Sequence, residues 1–363
     1  MTKKKIIIAT GGTGGHVFPA LSLANNLVKN RFDIILTTDK RGLKYLGRDN
    51  IYNFVQLPSS PLINGNIFKY FQSIFFIIFS ILRSLIFLSF NRPNLIFGMG
   101  GYSSFPICIA AAILKIKFVI YENNLILGKA NKYLLPFAHK IFVSFKELKG
   151  ISEKNNKKVI EVGNMIREEL VNPAFSNTFK KNSKINILVL GGSQGAKIFA
   201  NKLPEVFKRI KETGKLIKVF QQCQSNQNKE LIKYYNQAKI DCEIFNFTNK
   251  IIDYYSKANL VITRSGASAL GELINVKIPF IAIPLPTSAD NHQYINAKFY
   301  EKKGFCYFLE EKNISNQLYE IINEIFNDID GKNTIKLSQS QYSDKDIFKK
   351  ININIDKIIY EEN

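Results

Sequence analysis

Ile6-Ile-Ile-Ala-Thr-Gly-Gly-Thr-Gly-Gly-His-Val-Phe-Pro-Ala20 is the stretch from which the rest of the chain can be read. A β-branched run ends in clustered glycines, and Leu21, Leu23, Ala24 and Leu27 follow at helical spacing, so it reads as strand, tight turn, helix. Backbone N–H groups at the turn and helix start can meet an anion, and glycine leaves no Cβ to hold a ligand off the main chain. For any single turn of this kind, a tight βα connection without a ligand is the plainer alternative. The spacing is neither G-x-G-x-x-G nor the Walker pattern, which disfavours nicotinamide and ATP chemistry. His16, one of only three histidines among 363 residues, closes the loop.

The same alternation continues outward. Strand-like runs recur at Lys5–Thr10, Asp33–Thr38, Asn94–Gly98, Phe118–Tyr121 and Lys140–Ser144, and again at Asn186–Leu190, Ile217–Gln221, Leu260–Thr263 and Phe280–Pro284. Strands alternating with helices imply parallel sheets, and two such series imply two Rossmann-like domains in an α/β chain. The break falls near Val162-Gly-Asn-Met-Ile-Arg167, before the polar stretch Asn172–Ser183, giving expected domains 1–162 and 163–342.

A chain of this length can hold two cores, and a hydrophobic content of 46% excludes a disordered chain. Lys+Arg 50 against Asp+Glu 29 gives a net charge of +21, which fits nucleic acid, an anionic membrane surface or phosphorylated ligands, or a Lys/Asn/Ile-rich compositional bias with no partner. No basic-aromatic motif of the RRM type appears, so nucleic acid is not an expected partner. Cys108, Cys223, Cys242 and Cys306 lie far apart with no C-x-x-C, suggesting neither zinc site nor disulfide framework and fitting a reducing cytoplasm. Met1-Thr-Lys-Lys-Lys5 leads straight into the first strand, leaving no room for a signal peptide's apolar core. One segment breaks the pattern. Residues 67–90 are apolar nearly all round, with Lys69 and Arg83 bracketing an uncharged run, Tyr70–Leu82, that is shorter than a spanning helix needs. It reads equally as a helix lying in a membrane interface and as a core helix of the first domain.

The opening loop has counterparts. Gly98-Met-Gly-Gly-Tyr-Ser-Ser104, Gly191-Gly-Ser-Gln-Gly-Ala196 and Thr263-Arg-Ser-Gly-Ala-Ser-Ala-Leu-Gly-Glu272 each follow a strand, where open α/β sheets bind ligands. Together with Tyr121-Glu-Asn-Asn124, Gly163-Asn164 with Arg167, and Asp290-Asn-His-Gln-Tyr-Ile-Asn-Ala297, these motifs resemble the MurG family of N-acetylglucosaminyltransferases in order and spacing over nearly the whole chain. The resemblance implies a GT-B glycosyltransferase with a cleft between two Rossmann-like domains. The acceptor would sit on the N-terminal side and UDP-GlcNAc on the C-terminal side, with residues 343–363 crossing back as a helix onto the first domain. It further implies no metal and no cofactor. Asp328-Ile-Asp330, the one D-x-D, lies away from every glycine loop and reads as a solvated helix end.

In that family GlcNAc passes from UDP to the 4-hydroxyl of a lipid-linked MurNAc-pentapeptide with inversion, which needs a base on the acceptor and stabilisation of the leaving diphosphate. His16 matches the first-loop histidine, as base or as a ligand-orienting group. Glu122 and Asn124 match the family's Glu and Asn, and Glu122 is the second candidate for proton transfer. The resemblance puts Thr13, Gly14, Gly15, His16, Asn124, Arg167, Ser193, Phe247, Thr248, Ser268, Ala269, Glu272 and Gln293 at UDP-GlcNAc, and Gly100, Gly101 and Tyr102 on the acceptor side. Among them, Ser193 would serve the phosphates, Arg167 would supply charge near the nucleotide, and Glu272 would bind the ribose hydroxyls. Phe247 and Thr248 would read uracil through their backbone, and Gln293 would contact the sugar. Two departures stand out: His292 replaces the first of a Gln pair, and Ala269 replaces a threonine, leaving phosphate binding there to backbone N–H groups or Ser268. The implied location is the cytoplasmic face of the inner membrane, held peripherally on anionic lipid, and contact with other cell-wall synthesis proteins stays open. The rival readings are a GT-B transferase with a soluble acceptor and a UDP-GlcNAc 2-epimerase; neither needs the apolar segment 67–90.

Overall fold

The computed structural model describes residues 3–46, 52–60, 67–171, 184–192, 196–248, 250–327, 335 and 337–360. The chain divides into two compact units, Met1–Arg167 with Asp344–Asn363, and Glu168–Ser343. The stretches Asn172–Ser183 and Asp328–Asp330 fall outside the described residues, as does Ser193.

The first unit carries a parallel sheet of β1 (Lys5–Ala9), β2 (Asp33–Thr38), β3 (Asn53–Gln56), β4 (Leu95–Gly98), β5 (Phe118–Glu122), β6 (Lys140–Val143) and β7 (Val159–Glu161) in the order β3-β2-β1-β4-β5-β6-β7. Ile6, Ile7, Ile8 and Ala9 are fully buried, as a central parallel strand covered on both faces must be. Helices α1 (Gly14–Lys29), α2 (Ile67–Phe90), α3 (Gly101–Ile113) and α4 (Lys129–Leu134) connect the strands. The chain end returns to this unit as a helix, Ile347–Tyr360. Its Ile347, Ile351, Ile355 and Ile358, at helical spacing, join the core around Ile6, Ile8 and Leu27.

Helix α2 packs on α3 by an unusual face: Ser73, Ser80 and Ser84 are buried together with Leu88. Each serine hydroxyl donates to the carbonyl four residues back, at 2.8 Å for Ser73, 2.6 Å for Ser80 and 2.8 Å for Ser84, so burial of these small hydroxyls is compensated within the helix. The bulky side chains point outward: Phe68, Phe71, Phe75, Ile78, Leu82, Ile86 and Phe90 are all exposed. The core-helix reading of 67–90 therefore fails, because most of its large apolar groups face away from the unit. Phe68–Phe90, which contains an 18-residue window of mean hydropathy 2.2, is long and apolar enough to cross a membrane by length and composition.

The second unit holds β8 (Ile185–Leu190), β9 (Ile217–Gln222), β10 (Asp241–Phe245), β11 (Leu260–Thr263), β12 (Phe280–Ala282) and β13 (Tyr307–Phe308), parallel in the order β10-β9-β8-β11-β12-β13. Helices α5 (Lys197–Glu212), α6 (Asn228–Gln237), α7 (Ile251–Tyr255), α8 (Ala267–Val276), α9 (His292–Lys302) and α10 (Ile314–Asn327) accompany it. Its core gathers Phe199, Phe207, Tyr235 and Leu318 around β8 and β11.

Candidate active site

In the first unit the glycine loops after β1 and β4 interlock. A Cβ at Gly11 would stand 2.5 Å from Ser103 Oγ and 2.7 Å from Asp39 Oδ1, and Gly11 has φ 152°, so only glycine fits. Thr13 is exposed at the entry of α1, while Gly14, Gly15 and His16 form its first turn. His16 Nδ1 lies 3.1 Å from the Met99 carbonyl. A carbonyl only accepts, so Nδ1 carries the proton and the neutral ring has its lone pair on Nε2. A Cβ at Gly101, where φ is 74°, would lie 3.4 Å from that Nε2. Gly100 sits between His16 and the amide of Asn131, whose Nδ2 would be 3.4 Å from an added Cβ. Tyr102 follows on the first turn of α3, its ring partly exposed.

Glu122, at the end of β5, is buried, and its carboxylate is committed to its own loop. Oε1 accepts from Asn124 N at 3.1 Å and Asn124 Nδ2 at 2.9 Å; Oε2 accepts from Gly128 N at 2.9 Å and Asn131 Nδ2 at 3.0 Å. Glu122 thus organises the β5–α4 connection, with Asn124 as one of its donors. Arg167 lies with its guanidinium carbon 4.2 Å from the centroid of the Phe18 ring, two residues beyond His16 on α1. The segment leading to Arg167 is pinned: Met165 N donates to the Tyr121 hydroxyl at 2.9 Å, and Asn164 N donates to Asp344 Oδ1 at 3.0 Å.

Asp39, absent from the sequence-based candidates, anchors the first loop. Its buried carboxylate accepts from Gly12 N and Gly42 N, both at 2.9 Å, from Arg41 Nε at 2.8 Å and from Ser59 Oγ at 3.0 Å. Burial pushes its pKa up, but the Gly12 N–H, Arg41 and Gly42 N–H outweigh burial and hold it below the usual carboxylate range. The signal was available, since an acid directly after the second strand is where a dinucleotide fold places its ribose ligand. Here that position ties down the loop.

In the second unit the β8 loop begins at Gly191 and Gly192. Gln222, at the end of β9, accepts from Gly191 N at 3.1 Å and donates to the Asn246 carbonyl at 2.9 Å. It too was missed, being one of several glutamines in a Gln-rich stretch. Phe247 is exposed, and Thr248 Oγ1 accepts from Lys250 N at 2.9 Å. Ser268 and Ala269 lie, half-buried, in the first turn of α8; one turn on, buried Glu272 accepts from the Tyr255 hydroxyl at 3.0 Å. Gln293 Oε1 accepts from Ser265 N at 3.2 Å and Leu285 N at 3.0 Å, joining the loops after β11 and β12. His292 Nδ1 donates to the Ala289 carbonyl at 2.7 Å. Arg264 of the R-S-G-A motif is turned inward, paired with Glu311 and donating to the Pro284 carbonyl at 3.1 Å. Among the described residues no cluster of three or more His, Cys, Asp or Glu side chains could hold a metal ion.

Residues 6–143 match the glycosyltransferase family 28 N-terminal domain and residues 186–351 the glycosyltransferase family 28 C-terminal domain. The chain is 37% identical over 361 residues, 99% of each chain, to the UDP-N-acetylglucosamine--N-acetylmuramyl-(pentapeptide) pyrophosphoryl-undecaprenol N-acetylglucosamine transferase of Pelagibacter ubique. It is 35% identical to the protein of the same name from Rickettsia canadensis, over 86% of this chain and 87% of that one. In fold it is similar to the crystal structure of Acinetobacter baumannii MurG, with TM-score 0.74 and 23% identity over 98% of this chain and 99% of the other. On its domain matches and on identity sustained from end to end, this chain belongs to glycosyltransferase family 28 and, within it, to the MurG family.

Proposed function

We propose that this protein transfers GlcNAc from UDP-GlcNAc to the 4-hydroxyl of an undecaprenyl-pyrophosphoryl MurNAc-pentapeptide, inverting the anomeric centre, in peptidoglycan synthesis. The observation that carries this reading is the 37% identity to the Pelagibacter transferase over 99% of both chains. The glycine loops at the strand ends of both sheets support it.

In this reading His16 Nε2 takes the proton from the acceptor hydroxyl, whose oxygen attacks the anomeric carbon as the carbon–oxygen bond to the diphosphate breaks. The electron pair leaves with UDP. The bond from Nδ1–H to the Met99 carbonyl supports this role, because it selects the tautomer with a basic Nε2. Glu122 orders the loop beside it and is less suited to be the base, since both its oxygens already accept N–H groups. On the donor side, Glu272 would accept from the ribose hydroxyls and the Gly191–Gly192 loop, with Ser193, would meet the diphosphate. Phe247 and Thr248 would read the base, with Ser268, Ala269 and Gln293 toward the phosphate and sugar and Arg167 adding positive charge. The outward apolar side chains of α2, with Lys69 and Arg83 among them in a chain of net charge +21, suit attachment to the anionic cytoplasmic face of a membrane, where the lipid-linked acceptor resides.

Initial rates with UDP-GlcNAc, UDP-GalNAc and UDP-glucose against a lipid-linked MurNAc-pentapeptide test the proposal. UDP-GlcNAc should be preferred by at least about tenfold; equal use of the three donors would remove the assigned specificity.

A further inference from the structure

We infer that Gln222 is a positioning residue for the donor nucleotide, setting the β8 glycine loop and the base-reading segment at a fixed spacing through one side chain. The inference rests on the assignment of Gly191–Gly192 and Phe247–Thr248 to UDP made above. Gln222 ends β9, which lies between β8 and β10 in the sheet, so its side chain can reach the connections that leave both neighbours. It is buried, and both ends of its amide are used. Oε1 accepts the Gly191 N–H at 3.1 Å, and Nε2 donates to the carbonyl of Asn246, the residue before Phe247, at 2.9 Å.

The arrangement admits only an uncharged amide. A carboxylate in its place would keep the Gly191 bond but face the Asn246 carbonyl with a second acceptor, and an aliphatic chain would lose both bonds. Asn246 is braced in turn, its Nδ2 donating to the Cys223 carbonyl at 3.0 Å and to Asn228 Oδ1 at 2.9 Å. The neighbouring Gln221 points to the other face of the sheet and accepts from the Tyr235 hydroxyl at 2.5 Å, so it cannot substitute. Gln222 and Asp39 occupy similar places: Gln222 ends, and Asp39 directly follows, the strand next to the one that opens its unit, and each holds the first glycine loop by a backbone N–H. Asp39 also reaches Ser59 beyond β3, and the second tie of Gln222 is to the residue before Phe247. A nucleoside diphosphate that touches both segments meets them already spaced, and without the tie it must order them itself.

The test is competition binding of UDP and CDP to full-length wild type, Gln222→Leu and Gln222→Glu, with melting temperatures and steady-state kinetics. Gln222→Leu should weaken UDP roughly tenfold, on the scale of one to two net hydrogen bonds, and narrow the preference for UDP over CDP severalfold. Its kcat at saturating donor should stay within about threefold of wild type, since the reacting groups are untouched. Gln222→Glu should narrow the base preference likewise while retaining more of the UDP affinity, and it decides the matter if the leucine variant does not fold. Equal weakening of UDP and CDP would mean a purely structural role and overturn the proposal, as would unchanged affinities. Wild type that fails to bind UDP overturns the donor-site assignment and this inference together. Wild type that binds UDP beside an unaffected Gln222→Leu overturns this inference alone.

Discussion

Glu272→Ala separates two roles of one carboxylate. Glu272 is buried on α8 and accepts from the hydroxyl of Tyr255, which is 1% exposed. Hydrogen bonds to a charged acceptor are worth about 1.5–3 kcal/mol, so losing the ribose contacts should weaken UDP-GlcNAc by roughly 10- to 150-fold. The same change takes an acceptor from the buried Tyr255 hydroxyl, at a cost of about 1–3 kcal/mol in stability. Tyr255→Phe removes that hydroxyl and leaves the carboxylate in place; it should cost about 1 kcal/mol in stability and change donor affinity by less than about threefold. Calorimetric titration with UDP-GlcNAc, paired with thermal melts of both variants, reads the two effects apart. A folded Glu272→Ala variant that binds UDP-GlcNAc as wild type does would refute the ribose assignment.

If His16 is the base, His16→Ala should lower turnover by about 10²–10⁴ with little change in donor affinity; most turnover surviving at saturating acceptor would end that role. Asp39 has a lowered folded-state pKa, so its stabilisation is present above the unfolded carboxylate value near 4 and is lost as pH falls through the folded one. Denaturant titrations at falling pH should show wild type losing stability more steeply than Asp39→Asn, and parallel curves would refute the loop anchor. Replacing Phe71, Phe75 and Ile78 of α2 by serine should reduce binding to anionic vesicles by an order of magnitude or more, on the scale of about 1.5–3 kcal/mol per buried side chain. For the unaltered protein in membranes, alkaline carbonate should suffice for release; extraction by detergent alone would point to an inserted helix.

The sequence reading found the inner strands and missed the outer ones. β3, β7, β10 and β13 are the strands at the sheet edges. An edge strand is covered on fewer sides and tolerates charge, as in Asp241-Cys-Glu-Ile-Phe245 of β10, so it lacks the continuous apolar run that marks a buried parallel strand. Helix α2 was ambiguous for a related reason. A segment apolar nearly all round declares no inner face, and its buried positions are Leu88 together with Ser73, Ser80 and Ser84, which polarity rules would turn outward. Within the candidate site the glycine loops were legible, because backbone geometry restricts those positions to glycine. The side chains that fix the loops, Asp39 and Gln222, were not, because each works on a residue distant in sequence: Asp39 reaches Gly12, 27 positions away, and Gln222 reaches Gly191, 31 away.

The most direct test of the account supplies purified protein with sugar-labelled UDP-GlcNAc and an undecaprenyl-pyrophosphoryl MurNAc-pentapeptide and follows the label. The account predicts that label enters the lipid fraction as a β-1,4-linked GlcNAc-MurNAc disaccharide, with UDP released in step and only when the lipid acceptor is present. Label appearing instead as a soluble epimerised sugar, or on a soluble acceptor while the lipid stays unmodified, would contradict it.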